Sequence, residues 1–319
     1  MPEHIPFPDI PQFRNTIKLV RERAEHDGVP LPTLTFVGSV KLHGTNASVV
    51  FPLEGGFYCQ SRSQVITPEA DNAGFARWVE NNKDLFSRLD KSGVVVYGEW
   101  CGQGIQKGVA ISQAPKQFIV FAVRLMDGTW LDRIGICYRI GDKLRCIHDY
   151  PTWTLDIDFA EPEKAQNRLV ELTQVVEAEC PVGKAFGVSG IGEGIVWWPT
   201  PTDEFNTSNL AFKVKGEKHS ETKVKTLAAV DVEKLASINE LVDAILTEHR
   251  LEKRLDALKE QGGTLDIKST GAFLKLVGSD VHKEEADTIA ASGIKEGDVM
   301  GAVQKKAKQW WMEKLRENP

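Results

Sequence analysis

The chain has 319 residues, is 41% hydrophobic and carries a formal charge of −6. That length and apolar content suit about two domains with a sizeable core, and the acidic balance excludes a protein that grips nucleic acid through a uniformly basic surface. The five cysteines, Cys59, Cys101, Cys137, Cys146 and Cys180, are odd in number and include no Cys-x-x-Cys pair, so neither a disulfide framework nor a zinc ribbon is indicated and they read as reduced thiols in a cytoplasmic setting.

In chain order, Met1-Pro2-Glu3-His4-Ile5-Pro6 lacks the basic start and apolar core of a signal peptide. No later run approaches the roughly 18 apolar residues of a membrane span. From Leu34 onward, short β-rich runs alternate with turn residues: Leu34 to Val40, Ala47 to Phe51, Phe57 to Gln60, Val94 to Trp100, Phe118 to Leu125, Gly194 to Trp198 and Leu210 to Lys215. Helices are expected over Ala73 to Asp90 and Pro162 to Glu179, the second with proline in its first turn. Strict strand–helix alternation is missing, so the pattern predicts α+β rather than a doubly wound parallel sheet. After Lys225 the composition turns to Ala, Leu, Glu and Lys at helical spacing, through Leu235, Ile238, Leu241, Val242 and Ile245, stopping before Gly262-Gly263. Asp280 and Asp298 are expected as helix N-caps, and Val303, Ala307, Trp310 and Trp311 form an apolar stripe that reads as core. Two local basic clusters remain, Lys213, Lys215, Lys218, Lys223 and Lys225, then Lys305, Lys306, Lys308, Lys314 and Arg316.

The chemistry centres on Lys41-Leu42-His43-Gly44-Thr45-Asn46. The spacing Lys-x-x-Gly also occurs at Lys184, Lys213, Lys259, Lys268 and Lys275, so spacing alone decides nothing. Only Lys41 lies between two β-type runs and leads into small polar residues that let a phosphate approach the backbone. Period-two alternation is expected to place the Lys41 amine and the His43 imidazole on one face of a sheet. Downstream come Arg62 in Gln60-Ser61-Arg62-Ser63, Glu99 in Gly98-Glu99-Trp100-Cys101-Gly102-Gln103-Gly104-Ile105-Gln106, and Phe121 in Phe118-Ile119-Val120-Phe121-Ala122-Val123. Glu193 follows between Gly192 and Gly194, and Lys213-Val214-Lys215 precedes Ser220-Glu221. The glycine-rich run to Gly108 lacks the ending of a P-loop and the spacing of a dinucleotide fingerprint.

This ordered set resembles the motifs of the covalent nucleotidyltransferases, most closely the ATP-dependent RNA ligase 2 family. The likeness runs from about Phe36 to Glu221 and more weakly through the helical tail. It implies an α+β nucleotidyltransferase (ATP-grasp-like) domain of antiparallel sheets flanked by helices, residues 1–225, and a small all-helical C-terminal domain, residues 226–319, that binds RNA. It implies ATP and magnesium or manganese as cofactors, RNA ends in nicked duplexes as substrate, and neither a membrane nor an obligate protein partner. Lys41 would be the nucleophile that carries AMP, and His43 would contact the triphosphate as pyrophosphate leaves. Asn46 would orient phosphate oxygens, Arg62 contact the nucleotide or the RNA phosphate, and Glu99 bind the ribose. Phe121 would stack on adenine, and Glu193 help hold the metal. An amine that attacks phosphorus must be unprotonated, and Lys213, Lys215 and magnesium can supply the positive charge that favours that form and steadies the transition state. Three positions depart from the family pattern: Val40 where an acidic residue is common, Ala122 where aspartate is common, and Trp198 where a basic residue is common.

A DNA ligase or capping-type guanylyltransferase shares the lysine chemistry, but its second domain is usually a small β-barrel, against which the helical pattern after Lys225 speaks. A noncatalytic RNA end-binding protein is the alternative from another class, disfavoured by the full set of candidate catalytic residues.

Overall fold

The computed structural model describes residues 2–131, 144–219 and 238–317. Contacts divide the chain into two compact units, Met1–Ile10 with Thr16–Gly216, and Pro11–Asn15 with Glu217–Pro319. The expected boundary at 225/226, with Lys223, Lys225, Leu235 and the Ser220-Glu221 pair, lies outside the described residues.

The first unit is built on two sheets. Helix α1 (Phe13–Asp27) precedes β1 (Thr33–Lys41) and β2 (Thr45–Phe51), which are followed by β3 (Tyr58–Ser61), β4 (Val65–Ile66), α2 (Phe75–Asn81), β5 (Val94–Cys101) and β6 (Gln117–Leu125). Then come β7 (Arg145–Cys146), β8 (Thr152–Asp158), α3 (Glu163–Ala178), α4 (Pro181–Ala185), β9 (Gly194–Pro199) and β10 (Phe212–Lys215). One sheet has the order β10-β9-β1-β8 and the other β4-β3-β2-β5-β6-β7. All pairings are antiparallel apart from a short parallel one between β6 and β7. The α+β expectation of antiparallel sheets flanked by helices therefore describes this unit.

Alternation decides what each sheet buries. In the β1 sheet, Phe36, Phe212 and Trp197 point to one side, where Phe36 meets Phe212 at 5.1 Å and Phe159 at 6.1 Å between ring centroids. Helix α3 packs on this sheet and buries Leu169, Leu172 and Val176. In the β2 sheet, Ala47, Val49, Val96, Trp100, Phe118 and Val120 form a core with Phe75, Val79 and Phe86 from the helical excursion after β4. That excursion is not the single helix expected over Ala73 to Asp90: α2 stops at Asn81 and a 3-10 helix, Lys83–Leu89, follows. Pro162 caps α3 rather than lying inside its first turn.

The described part of the second unit is helical: a 3-10 turn, Glu217–His219, then α5 (Ile238–Ile245), α6 (Glu248–Glu260), α7 (Thr270–Ala291) and α8 (Glu296–Glu317). Trp310 and Trp311 are buried, with rings 5.7 and 4.5 Å from Phe273, so the stripe on α8 is core as expected. Neither expected N-cap is one. Asp280 lies in the middle of α7, where its carboxylate meets Arg250 at 3.1 Å and Arg254 at 2.7 Å, and Asp298 lies within the first turn of α8.

Candidate active site

The site starts from one rung of the β1 sheet. Lys41 on β1 pairs with Gly194 on β9, and Gly194 pairs with Lys215 on β10. Residues directly opposite across a sheet project from the same face, so the two amines flank a position with no side chain. The next rung repeats the pattern with Ser39, Val196 and Lys213. Glycine is required at the centre: Gly194 has φ +152°, and a Cβ there would stand 2.2 Å from the Val214 carbonyl oxygen.

Glu193 enters this rung from just before β9. Its side chain is fully buried, and Oε2 lies 2.7 Å from Lys41 Nζ and 3.2 Å from His43 Nδ1, while Oε1 lies 3.8 Å from Lys215 Nζ. An ionised carboxylate only accepts hydrogen bonds, so Nδ1 of His43 carries the hydrogen in this contact. The Gly216 amide closes on the Glu193 carbonyl at 3.0 Å, which ties the glutamate to the end of β10. His43 reaches the cluster by a route other than the one expected, because β1 ends at Lys41 and His43 lies in the turn before β2. The turn aims its ring at the carboxylate, and strand alternation plays no part.

The β2 sheet contributes a second set on the face away from its core. Asn46 on β2 pairs with Glu99 on β5, which pairs with Ile119 on β6. Glu99 Oε1 accepts the Gly44 amide at 2.9 Å, fixing the turn that carries His43. A Cβ on Gly44 would come within 2.4 Å of the Trp100 carbonyl oxygen, so only glycine lets this turn lie against β5. Asn72 supports the same turn through Thr45 Oγ1 at 3.1 Å.

Phe121 lies on the same face as Ile119, but Val123 does not. A β-bulge shifts the register between Tyr97 and Gly98, so that Ala122 opposes Tyr97 and Val120 opposes Gly98. The extra residue turns Phe121 and Ala122 together toward Phe7, Val50, Val95 and Tyr97, while Val123 joins the core on the other side. Trp198, on β9, packs in the same aromatic group. Arg62 lies just past β3 and bonds the Phe7 carbonyl and the Asp9 carboxylate.

The structure thus brings Lys41, His43, Glu193 and Lys215 into direct contact, aligns Lys213 one rung away, and sets Asn46, Glu99 and Phe121 on one face of the other sheet. Sequence reasoning missed Phe7, because its contacts link the N-terminal segment to strands far along the chain. Among the described residues no group of three or more His, Cys, Asp or Glu side chains is placed to hold a metal ion. The donor set still fits magnesium: that ion keeps several waters and binds through one or two carboxylates together with substrate phosphates. Glu193, at the centre of the rung, is the carboxylate that would hold it, in exchange for its contacts to Lys41 and Lys215.

Comparison with known families matches the RNA ligase model over residues 34–215, more than half of the chain. The chain belongs to the RNA ligase family. Among solved structures it is similar to a substitution variant of Naegleria gruberi RNA ligase with ATP and Mn, at 16% identity and a TM-score of 0.47, covering 68% of this chain and 58% of that one. A Naegleria gruberi RNA ligase structure with PPi matches at 17% identity and TM-score 0.47, with the same coverage of 68% and 58%. One with AMP and Mn matches at 16% and 0.46, again covering 68% and 58%. The chain therefore spans under two thirds of the length of these structures. No curated protein sequence matches it. Among the described residues no helix is long and apolar enough to cross a membrane.

Proposed function

We propose that this chain is an ATP-dependent RNA ligase that joins 3′-hydroxyl and 5′-phosphate ends at nicks in duplex RNA through a covalent lysyl-AMP. One observation carries the reading: Lys41 and Lys215 flank Gly194 on a single rung and share the buried Glu193 carboxylate.

Lys41 Nζ attacks the α-phosphorus of ATP, forming an N–P bond as the bond to the β-phosphate oxygen breaks and pyrophosphate leaves. The 5′-phosphate of the RNA then takes the adenylyl group and frees the lysine. Finally the 3′-hydroxyl attacks that 5′-phosphorus, and AMP departs. Each displacement concentrates negative charge on oxygens around one phosphorus, so positioning and charge neutralisation carry the catalysis. Lys213 and Lys215, two residues apart on one face, point cations at that centre. Glu193 accepts the hydrogen bonds of Lys41 and His43, which holds the nucleophile at the rung and leaves it a carboxylate neighbour when it sheds its proton. Magnesium, when bound, neutralises phosphate charge, and Glu193 is the side chain that would hold it. Asn46 and Glu99 face the nucleotide's phosphate and ribose, Phe121 its base, and Arg62 the phosphate side. The helical C-terminal domain, residues 226–319, binds the RNA duplex.

The test is incubation with α-labelled ATP and magnesium followed by denaturing electrophoresis. Wild type is expected to carry the label and Lys41→Ala to lose it, and label that survives in the variant removes the nucleophile. Nicked RNA, DNA and hybrid duplexes, set against single strands, check the substrate. Sealing confined to nicked DNA would point to the DNA ligase reading.

A further inference from the structure

The residues before α1 form a strap across the β2 sheet. Gln60, fully buried on β3, uses both ends of its amide on one residue: Oε1 accepts the Ile5 amide at 3.0 Å and Nε2 donates to the Ile5 carbonyl. Tyr97, also fully buried, donates its hydroxyl to the same carbonyl at 3.0 Å. Tyr58 bonds the Glu3 carbonyl at 2.8 Å, and His4 Nε2 meets the Ser61 carbonyl at 3.2 Å. Burial of hydrogen-bonding groups is costly unless they are matched, so Gln60 and Tyr97 specify this path for the strap.

What the strap delivers is Phe7. Its ring is 7% exposed and lies 4.9 Å from Phe121 at an interplanar angle of 71°, an edge-to-face contact. It also meets Tyr97 at 5.2 Å, Trp130 at 5.5 Å and Trp198 at 6.1 Å, so it spans aromatic side chains of both sheets. The carbonyl of the same residue accepts Arg62, whose other nitrogen pairs with Asp9.

We infer that Phe7 is a positioning residue for the nucleotide pocket: its ring fixes the orientation of Phe121 and so sets the base-stacking contact. The inference rests on the proposed function, which assigns base stacking to Phe121. The need for such a device follows from the bulge. Phe121 occupies the extra position of β6, where ladder pairing is interrupted, so the strand itself holds this ring less firmly than a regular rung would. An aromatic neighbour packed edge-on restricts the ring and leaves it ready to stack, which lowers the ordering cost when the base arrives.

The experiment measures lysyl-AMP formation against ATP concentration for wild type, Phe7→Leu and Phe7→Tyr, with thermal midpoints taken in parallel. Leucine keeps the apolar burial and removes the ring edge; tyrosine keeps the ring. Phe7→Leu is expected to raise the KM for ATP about fivefold, in line with the worth of an aromatic pair, with the maximal rate nearly unchanged. Phe7→Tyr is expected to restore the wild-type KM. The reverse reaction supplies a readout that a general loss of structure would not separate: pyrophosphate carries no base, so its KM in discharging lysyl-AMP should stay at the wild-type value. An unchanged KM for ATP in Phe7→Leu, or equal rises for ATP and pyrophosphate, would overturn the inference alone. Absence of label in wild type would instead remove the proposed function and this inference with it.

Discussion

Among the described residues each unit buries one glutamate among cations, and the choice of cations separates a site from a brace. In the helical unit Glu285 is fully buried: Oε1 takes Arg250 at 2.9 Å, and Oε2 takes Arg14 at 2.7 Å and the Thr288 hydroxyl at 3.0 Å. Arg250 is itself fully buried and also meets Asp280. In the two-sheet unit Glu193 is equally buried, but its partners are Lys41, His43 and Lys215, and the Lys41 side chain keeps 21% exposure. Arginine never gives up its proton in proteins and grips carboxylates with a rigid fork, whereas lysine is a flexible point charge able to act as a neutral nucleophile. The arginine cluster can only hold helices together. The lysine cluster can trade its carboxylate contact for a phosphate.

The comparison breaks if the two glutamates respond alike to mutation. Glu285→Ala strands Arg250 in the core and is expected to cost about 3–5 kcal/mol of stability, read as a lower midpoint in urea unfolding. Glu193→Gln keeps the shape of its site and should leave that midpoint almost in place while cutting lysyl-AMP formation by about a hundredfold. If Glu193→Gln unfolds the protein as readily as Glu285→Ala does, Glu193 is a brace as well, and its place in the chemistry falls.

Much of the lysine cluster was legible in the sequence because its parts are local. Glycine on both sides of Glu193, two lysines spaced for one strand face, and a lysine at the end of an apolar run are all visible in short windows. Pairing Lys41 with Gly194 and Lys215 needed the register, which no window contains. The arginine cluster was misread where it touched the sequence: Asp280 suggests an N-cap, yet it serves Arg250 and Arg254 from inside α7, since capping residues in a helix interior can be satisfied by side chains of a neighbouring helix. Besides the short elements β4, β7 and α4, two longer ones, α1 and β8, went unpredicted. Helix α1 carries the buried stripe Phe13, Ile17, Val20 and Ala24 at helical spacing, which is visible in the sequence itself. Strand β8, Thr-Trp-Thr-Leu-Asp-Ile-Asp, is an edge strand whose apolar residues Trp153, Leu155 and Ile157 do alternate with polar ones, but only Ile157 is buried and the run carries two aspartates, which are depleted in strands.

A third buried acid sharpens the contrast, because the charges that act on it are carboxylates. Cys59 on β3 is pushed up to about 12, first by burial and then by the negative charges of Asp71 and Glu80, so in the folded protein it stays a neutral thiol. Unfolding returns it to an ordinary value near 9.0. A group that binds its proton more tightly when folded contributes stability that is whole below the unfolded value and is lost as pH rises toward the folded one. Cys59 should therefore make the protein less stable from pH 9 upward, by about 1.4 kcal/mol at pH 10. Urea unfolding of wild type and Cys59→Ala at pH 7 and pH 10 checks this, with the variant expected to lose less stability between the two conditions. An equal loss in both would mean that the thiol ionises as readily inside the sheet as outside it, and that burial beside two carboxylates does not keep this group neutral.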